Sequence, residues 1–265
     1  MSSIVVSELH IYPVKSLAGI SLQSSRVDAL GLVHDRRWMV VNESGYMMTQ
    51  RSHPRMALIQ PTVSGHGLRL DYPGKAPIDV PEPNSDDRVA VRVWDDTVNA
   101  LTTDPDVDWW LSEVLGEPAR LVSFPRDEKR QVDRDYARAG DLTAFSDGFP
   151  ILLIGQSSLD DLNTRLDAPL PMRRFRPNIV VSGAAPYAED DWREMEIAGV
   201  HFRIVKPCSR CVVTTVDPDT GEVAGEEPLR TLATYRMQNG KVMFGQNAIP
   251  DNAGILRVGD SVRVA

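Results

Sequence analysis

Cysteine is scarce in this 265-residue chain, with two thiols, Cys208 and Cys211, three positions apart. A pair so close closes no useful structural loop, so no disulfide framework holds the fold and the chain reads as one from a reducing cytoplasm. Two thiols also fall short of the four that an ordinary [2Fe–2S] cluster takes. The sequence has no Cys-x-x-Cys-His haem-attachment motif and no Gly-x-Gly-x-x-Gly loop following a strand. Positive charge is in deficit: 29 Lys and Arg stand against 37 Asp and Glu, giving a net charge of −8. The resulting pI near 5.2 argues against nucleic acid or an anionic membrane as partner. An uninterrupted apolar run of about 18 residues, the length a membrane span takes, is missing as well. So is a basic-then-apolar leader, since the N-terminus enters a strand-like run within a few residues. Internal repeats and low-complexity tracts are absent too. What remains, 42% hydrophobic and 25% charged, is an ordinary globular composition long enough for one large or two small domains.

Short β-type runs dominate what is present. Val5, Leu9 and Ile11 share one face of an opening strand, and residues 37–41 form a short buried-type run. Val89, Val91 and Val93 alternate with Ala90, Arg92 and Trp94, the clearest period of two in the chain. A helix follows, with Asp104 as cap, Pro105 in the first turn and Gly116 past the end. Val107, Trp110, Leu111, Val114 and Leu115 make its apolar stripe, which assigns the Trp109-Trp110 pair to packing. Residues 126–138 are highly charged and read as a long surface loop or a disordered linker. Residues 149–154 read as a buried strand, and Leu159, Leu162 and Leu166 as a helix ending before Pro169. Further β runs are expected at 179–181, 194–197, 200–205 and 212–216, and Gly259-Asp260 is expected to join 255–258 and 261–264 as a hairpin. Many short strands with few helices predict a mostly β, α+β fold organised as a barrel.

Both thiols belong to Cys208-Ser209-Arg210-Cys211. Lys206 and Arg210 beside them favour thiolate over thiol, and thiolate is a soft ligand for transition metals. A structural zinc site needs four ligands, and His10, His34, His53, His66 and His201 are scattered without zinc-type spacing. A redox Cys-x-x-Cys usually opens a helix after a strand, whereas β-branched Val212, Val213, Thr214, Thr215 and Val216 follow here. Zinc, dithiol exchange, inert cysteines and another metal all stay open on these residues alone.

The stretch from Lys206 through Cys208 and Cys211 to Gly221 resembles the signature of MOSC-domain proteins, molybdenum-cofactor proteins that include the mitochondrial amidoxime-reducing component and its bacterial relatives. Matching segments recur in order along nearly the whole chain: 11–16 (Ile-Tyr-Pro-Val-Lys-Ser), 31–38, Phe145-Ser146-Asp147, residues 175–178 (Phe-Arg-Pro-Asn), 187–190 with Trp192, and 244–247. The resemblance implies an N-terminal β-rich domain over about 1–122 and a MOSC β-barrel over 123–265, with molybdopterin held between them. By the same match, Cys211 is the molybdenum-ligating thiolate and Asp147 an acidic residue near the metal. Lys15, Ser16, Arg36, Ser146, Arg176, Asn178, Ser209, Arg210 and Asn247 fall at cofactor contacts, while Cys208 is assigned no ligation. Asp147 is also open to a turn or cap role, because Gly148 and Pro150 follow it.

An acidic chain that holds a phosphate and a dithiolene must concentrate cations locally. Lys15, Arg36 and Arg37, the pair Arg51 and Arg55, and the run Arg173, Arg174 and Arg176 are the available clusters. A solvated basic surface explains any one of them taken singly; the resemblance selects Arg176. The implied function is reduction of small N-hydroxylated or N-oxygenated compounds, with electrons from a separate redox protein because the chain stops at Ala265 without a ferredoxin-like domain. Two other classes stay in play: a non-catalytic carrier or sulfur-transfer protein for the cofactor, and a thiol–disulfide protein using Cys208 and Cys211.

Overall fold

Strand-forming runs and turn residues alternate along the chain, and the structure, a computed structural model that describes residues 3–265, is α+β. About 41% of it is strand and 15% helical, so sheets set the architecture and helices cover their faces. The largest sheet runs in the order Ile20–Leu22, Val5–Ile11, Ile179–Ser182, Ile151–Gly155, Lys241–Pro250, Val200–Ser209, Glu194–Ile197 and Val262–Val264, with Met237–Gln238 added beside Lys241–Pro250. Every neighbour is antiparallel except Ile151–Gly155 with Ile179–Ser182. A bridge between Val5 and Ser261, with Gly259 N–H donating to Val6 O at 2.8 Å, returns the last strand to the opening one and curls the sheet into a barrel. Val6, Leu9, Ile11, Leu153, Ile179, Ile197 and Phe202 fill its interior. Val5 is only half-buried, because a bulge between Val6 and Glu8 shifts the phase of the opening strand.

A second body packs beside the barrel. Trp38–Val41, Arg120–Ser123, Asp96–Thr102 and Arg88–Val93 form a four-stranded antiparallel sheet, and Gln60–Ser64, Gly67–Tyr72 and Lys75–Pro81 form a meander. Helix Pro105–Leu115 lies on them. The Asp104 side chain accepts from Asp106 N–H at one end, and Gly116 takes φ 78° at the other, a value that costs glycine nothing. Val107, Trp110, Leu111 and Val114 are buried, each side chain worth about 1.5–3 kcal/mol. Trp110 also donates Nε1–H to Ala76 O at 2.7 Å, whereas Trp109 is 63% exposed and lies outside the core, with Lys75 Nζ 5.1 Å from its ring centroid. Strand pairing runs across the 1–122 and 123–265 stretches: Val5–Ile11 joins Ile179–Ser182, and Ser24–Asp28 joins Gly254–Arg257.

Three local expectations change. Residues 255–258 and 261–264 do not pair with each other, because Gly254–Arg257 finds Ser24–Asp28 and Val262–Val264 finds Glu194–Ile197. Gly259, at φ 93°, turns the chain from one sheet into the other. Val212–Thr215 is a 3-10 turn and not a strand. Thr214 Oγ1 donates to Cys211 O at 3.0 Å and Thr215 Oγ1 to Val212 O at 2.8 Å, so the threonine hydroxyls stabilise a tight turn against β propensity. Residues 126–138 run over the surface as expected, but not as a bare loop or linker: Arg130–Gln131 pairs with Leu142–Thr143, and both Arg130 and Val132 are buried.

Candidate active site

Strand Val200–Ser209 loses register with Lys241–Pro250 twice, between Ile204 and Lys206 and between Pro207 and Ser209. Such bulges re-aim side chains and accommodate a proline that donates no ladder bond. They bring Cys208, Ser209, Arg210 and Cys211 to the wall of a cleft of about 910 Å³. Cys211 is extended (φ −133°, ψ 180°) and immediately precedes the 3-10 turn. Neighbouring walls come from the 12–16 and 35–37 turns, the 145–149 loop and the 175–178 turn. Every residue selected from the sequence lines this one cleft: Cys211, Asp147, Lys15, Ser16, Arg36, Ser146, Arg176, Asn178, Ser209, Arg210 and Asn247.

The cleft inverts the charge of the chain. Eight Lys and Arg line it against four Asp, while the whole protein carries −8, so the cleft suits an anion. Lys15 is buried, and burial pushes its amine down to about 8 despite the opposing pull of Asp147. Its Nζ donates to Phe145 O at 2.8 Å and to Asp147 Oδ1 at 2.5 Å. Arg51 Nη2 reaches Asp147 Oδ2 at 3.0 Å. Burial alone would raise the Asp147 pKa, but Lys15 and Arg51 outweigh it and hold the carboxyl far below its usual range. The same side chain is 56% exposed, so it is an ionised carboxylate that faces the open cleft. Burial disfavours charge on Arg51; the Asp147 carboxylate bonded to it, and then Cys211, more than offset that.

Arg36 and Arg176 both lie against the buried Tyr12 ring, at 4.4 and 4.1 Å from its centroid. Burial pushes the Tyr12 hydroxyl up to about 12 and the Arg176 guanidinium down to about 10, so both keep their ordinary states at neutral pH. Arg36 Nη1 bonds Asp35 Oδ2 at 2.6 Å and Asn178 Oδ1 at 3.1 Å. Asn178 in turn donates to His10 O at 3.2 Å and accepts from Leu152 N–H at 3.1 Å. Its amide is therefore committed to protein, and it reaches a ligand only by orienting Arg36. Arg210 Nη2 donates to Phe175 O at 2.5 Å and Nη1 to Cys208 Sγ at 3.1 Å, while its buried Nε has no partner. An orphaned guanidinium donor at a cationic wall is an unspent hydrogen bond for an anion. Asn247 Nδ2 donates to Lys206 O at 3.2 Å, bracing the strand that delivers Cys208.

Backbone strain gathers at the same place. Ser16, Arg36, Trp94 and Arg176 line the cleft with φ of 65°, 47°, 56° and 57°. Each costs about 1–3 kcal/mol and persists only where surrounding structure enforces it. The remaining arginines singled out from sequence go elsewhere: Arg37 pairs with Asp28, Arg173 with Asp219, and Arg174 with Asp217 and Thr215 O. Sequence matching missed Arg130, whose guanidinium donates to Ala144 O at 2.9 Å, Ser146 O at 2.6 Å and Asp96 Oδ2 at 2.7 Å. Its signal was faint, a lone arginine among many in a charged stretch. Among the described residues no three His, Cys, Asp or Glu side chains gather as a metal cage. The donors present therefore do not form a four-ligand zinc site; a metal here would need most of its ligands from a bound group.

Comparison with known proteins bears on what that group is. Residues 3–118 match the MOSC N-terminal beta barrel domain and residues 141–263 the MOSC domain. Mitochondrial amidoxime-reducing component 1 of Homo sapiens is 37% identical over 275 residues, which span 97% of this chain and 82% of the relative. Mitochondrial amidoxime reducing component 2 of Rattus norvegicus is 39% identical over 277 residues, with 97% and 82% covered. The Xenopus laevis component 1 is 36% identical over 280 residues, covering 97% and 81%.

Proposed function

The chain belongs to the MOSC family, in the form that carries the MOSC N-terminal beta barrel domain as well, and from that premise we propose that it is a molybdenum-cofactor-dependent reductase of small N-hydroxylated compounds. The observation that carries the reading is the cationic cleft itself, with a cysteine thiol, an aspartate held as carboxylate by Lys15 and Arg51, and an unpaired buried guanidinium donor on one wall system. Cys211 would ligate the metal. Lys15, Arg36, Arg176 and Arg210 would hold the anionic pterin phosphate and dithiolene, with Ser16, Ser146 and Ser209 as neutral contacts. When bound, the cofactor supplies two-electron reduction that removes the oxygen of an N–O bond.

The protein's own groups do the rest. Asp147, held as carboxylate by Lys15 and Arg51, accepts a hydrogen bond from the N–H or O–H of the substrate and orients its N–O group. Reducing an N–OH group to N–H and water takes two protons with the two electrons. Lys15 Nζ, which burial pushes down to about 8 and which Asp147 anchors at the cleft, would give one of them, and water in the open cleft the other. Electrons come from a separate redox protein.

Purified protein from a cofactor-competent host should reduce an N-hydroxylated substrate with a low-potential artificial donor and remain inactive with NADH or NADPH alone. Bound molybdenum without turnover would favour the carrier reading; no bound molybdenum would favour the thiol–disulfide one.

A further inference from the structure

Trp94 occupies a position that no motif explains. Val93 pairs with Asp96, so Trp94 and Asp95 are the two-residue loop of a hairpin. The first residue of such a loop takes φ of 56° here, a conformation for which glycine is the unstrained choice. A tryptophan there is strained, and burial does not repay it: the side chain is 36% exposed and belongs to none of the hydrophobic cores. It lines the cleft instead, with the Arg51 guanidinium 4.6 Å from its ring centroid. That guanidinium bonds Asp147 Oδ2 at 3.0 Å in the cleft that Cys211 also lines, so one side chain separates the indole from the Asp147 carboxylate. The platform is also fixed in place. Asp96, next but one to Trp94, binds Arg130, which grips the carbonyls of the Asp147 loop.

Resting on the reductase reading, we propose that Trp94 is a specificity-determining residue: its indole stacks on planar, π-bearing substrates, so that the protein favours N-oxygenated groups conjugated to an aromatic or heteroaromatic ring over aliphatic ones. An exposed ring backed by a cation and rigidly held offers stacking at little ordering cost. An alkyl substrate of equal N–O chemistry has no ring to place on it.

The test compares an arylamidoxime with an alkylamidoxime on the molybdenum-loaded protein and on its Trp94→Gly variant. Equilibrium binding is measured by calorimetry without an electron donor, and turnover with one. Glycine relieves the positive φ, so the variant should fold with an unchanged or higher Tm. We expect its affinity and kcat/KM for the aryl compound to fall about tenfold, with the alkyl values nearly unchanged and Trp94→Phe keeping most of the preference. An equal fall for both compounds, or no fall for the aryl one, would overturn the proposal. Aryl-selective binding that depends on Trp94 in a protein that never turns over would count against the reductase reading and leave this one standing.

Discussion

Removing the Arg130 guanidinium should cost the protein much of its stability and loosen the loop that carries Asp147. The side chain is 6% exposed and spends its donors on Ala144 O (2.9 Å), Ser146 O (2.6 Å) and Asp96 Oδ2 (2.7 Å), with a weaker approach to Asp147 O at 3.4 Å. In Arg130→Ala, Asp96 is half-exposed and recovers water, so its loss counts for little. Two carbonyls remain without a partner, at about 1–3 kcal/mol each. Allowing for some water entry, the sum is about 3 kcal/mol, a large share of the roughly 5–15 kcal/mol that holds a protein folded. At roughly 2–4 °C per kcal/mol for a chain of this size, Tm should drop by about 6–12 °C in calorimetry. Arg130→Lys keeps the charge but, being shorter and without the Nε donor to Asp96, should recover about half of the loss. A Tm within about 1 °C of wild type for Arg130→Ala would refute the reasoning.

Three further outcomes follow from the structure. Lys15 loses its charge as pH rises through about 8, so cofactor-free protein should bind inorganic phosphate more weakly at pH 9 than at pH 7, and Lys15→Arg should flatten that step. Folding should respond with the opposite sign, gaining between about pH 8 and the ordinary lysine value of 10.5, because there the unfolded chain still binds the proton that the folded one has shed; denaturant titrations across that window check it. Gly245→Ala should destabilise by about 2 kcal/mol in the same titrations, since its φ is 78° and an added Cβ would lie 2.8 Å from Leu153 O.

What the sequence discloses and what it hides divide along physical lines. Helix Pro105–Leu115 was legible because cap, stripe and terminal glycine all act within one local segment. The Val89, Val91 and Val93 alternation was legible for the same reason, with Val91 and Val93 fully buried and Val89 partly so. The 212–216 run misled, because its β-branched residues form a turn held by threonine hydroxyls, a contact that propensity does not register. The last two strands misled because each pairs with a segment far away in sequence, and a turn signal such as Gly259-Asp260 says where the chain bends but not what it meets. The cleft residues converge from six separated stretches, and motif resemblance, not periodicity, gathered them. Arg130 and Trp94 lay outside those motifs, so their roles emerge only from the fold: one buried under three carbonyls, the other strained at a hairpin tip.

X-ray absorption at the molybdenum edge tests the central claim, that Cys211 supplies a thiolate to a metal held in this cleft, most directly. Protein made in a cofactor-competent host should show molybdenum in a sulfur-rich shell, and Cys211→Ala should lose one sulfur neighbour while Cys208→Ala keeps the full set. An unchanged shell in Cys211→Ala, or the same loss in both variants, would contradict it.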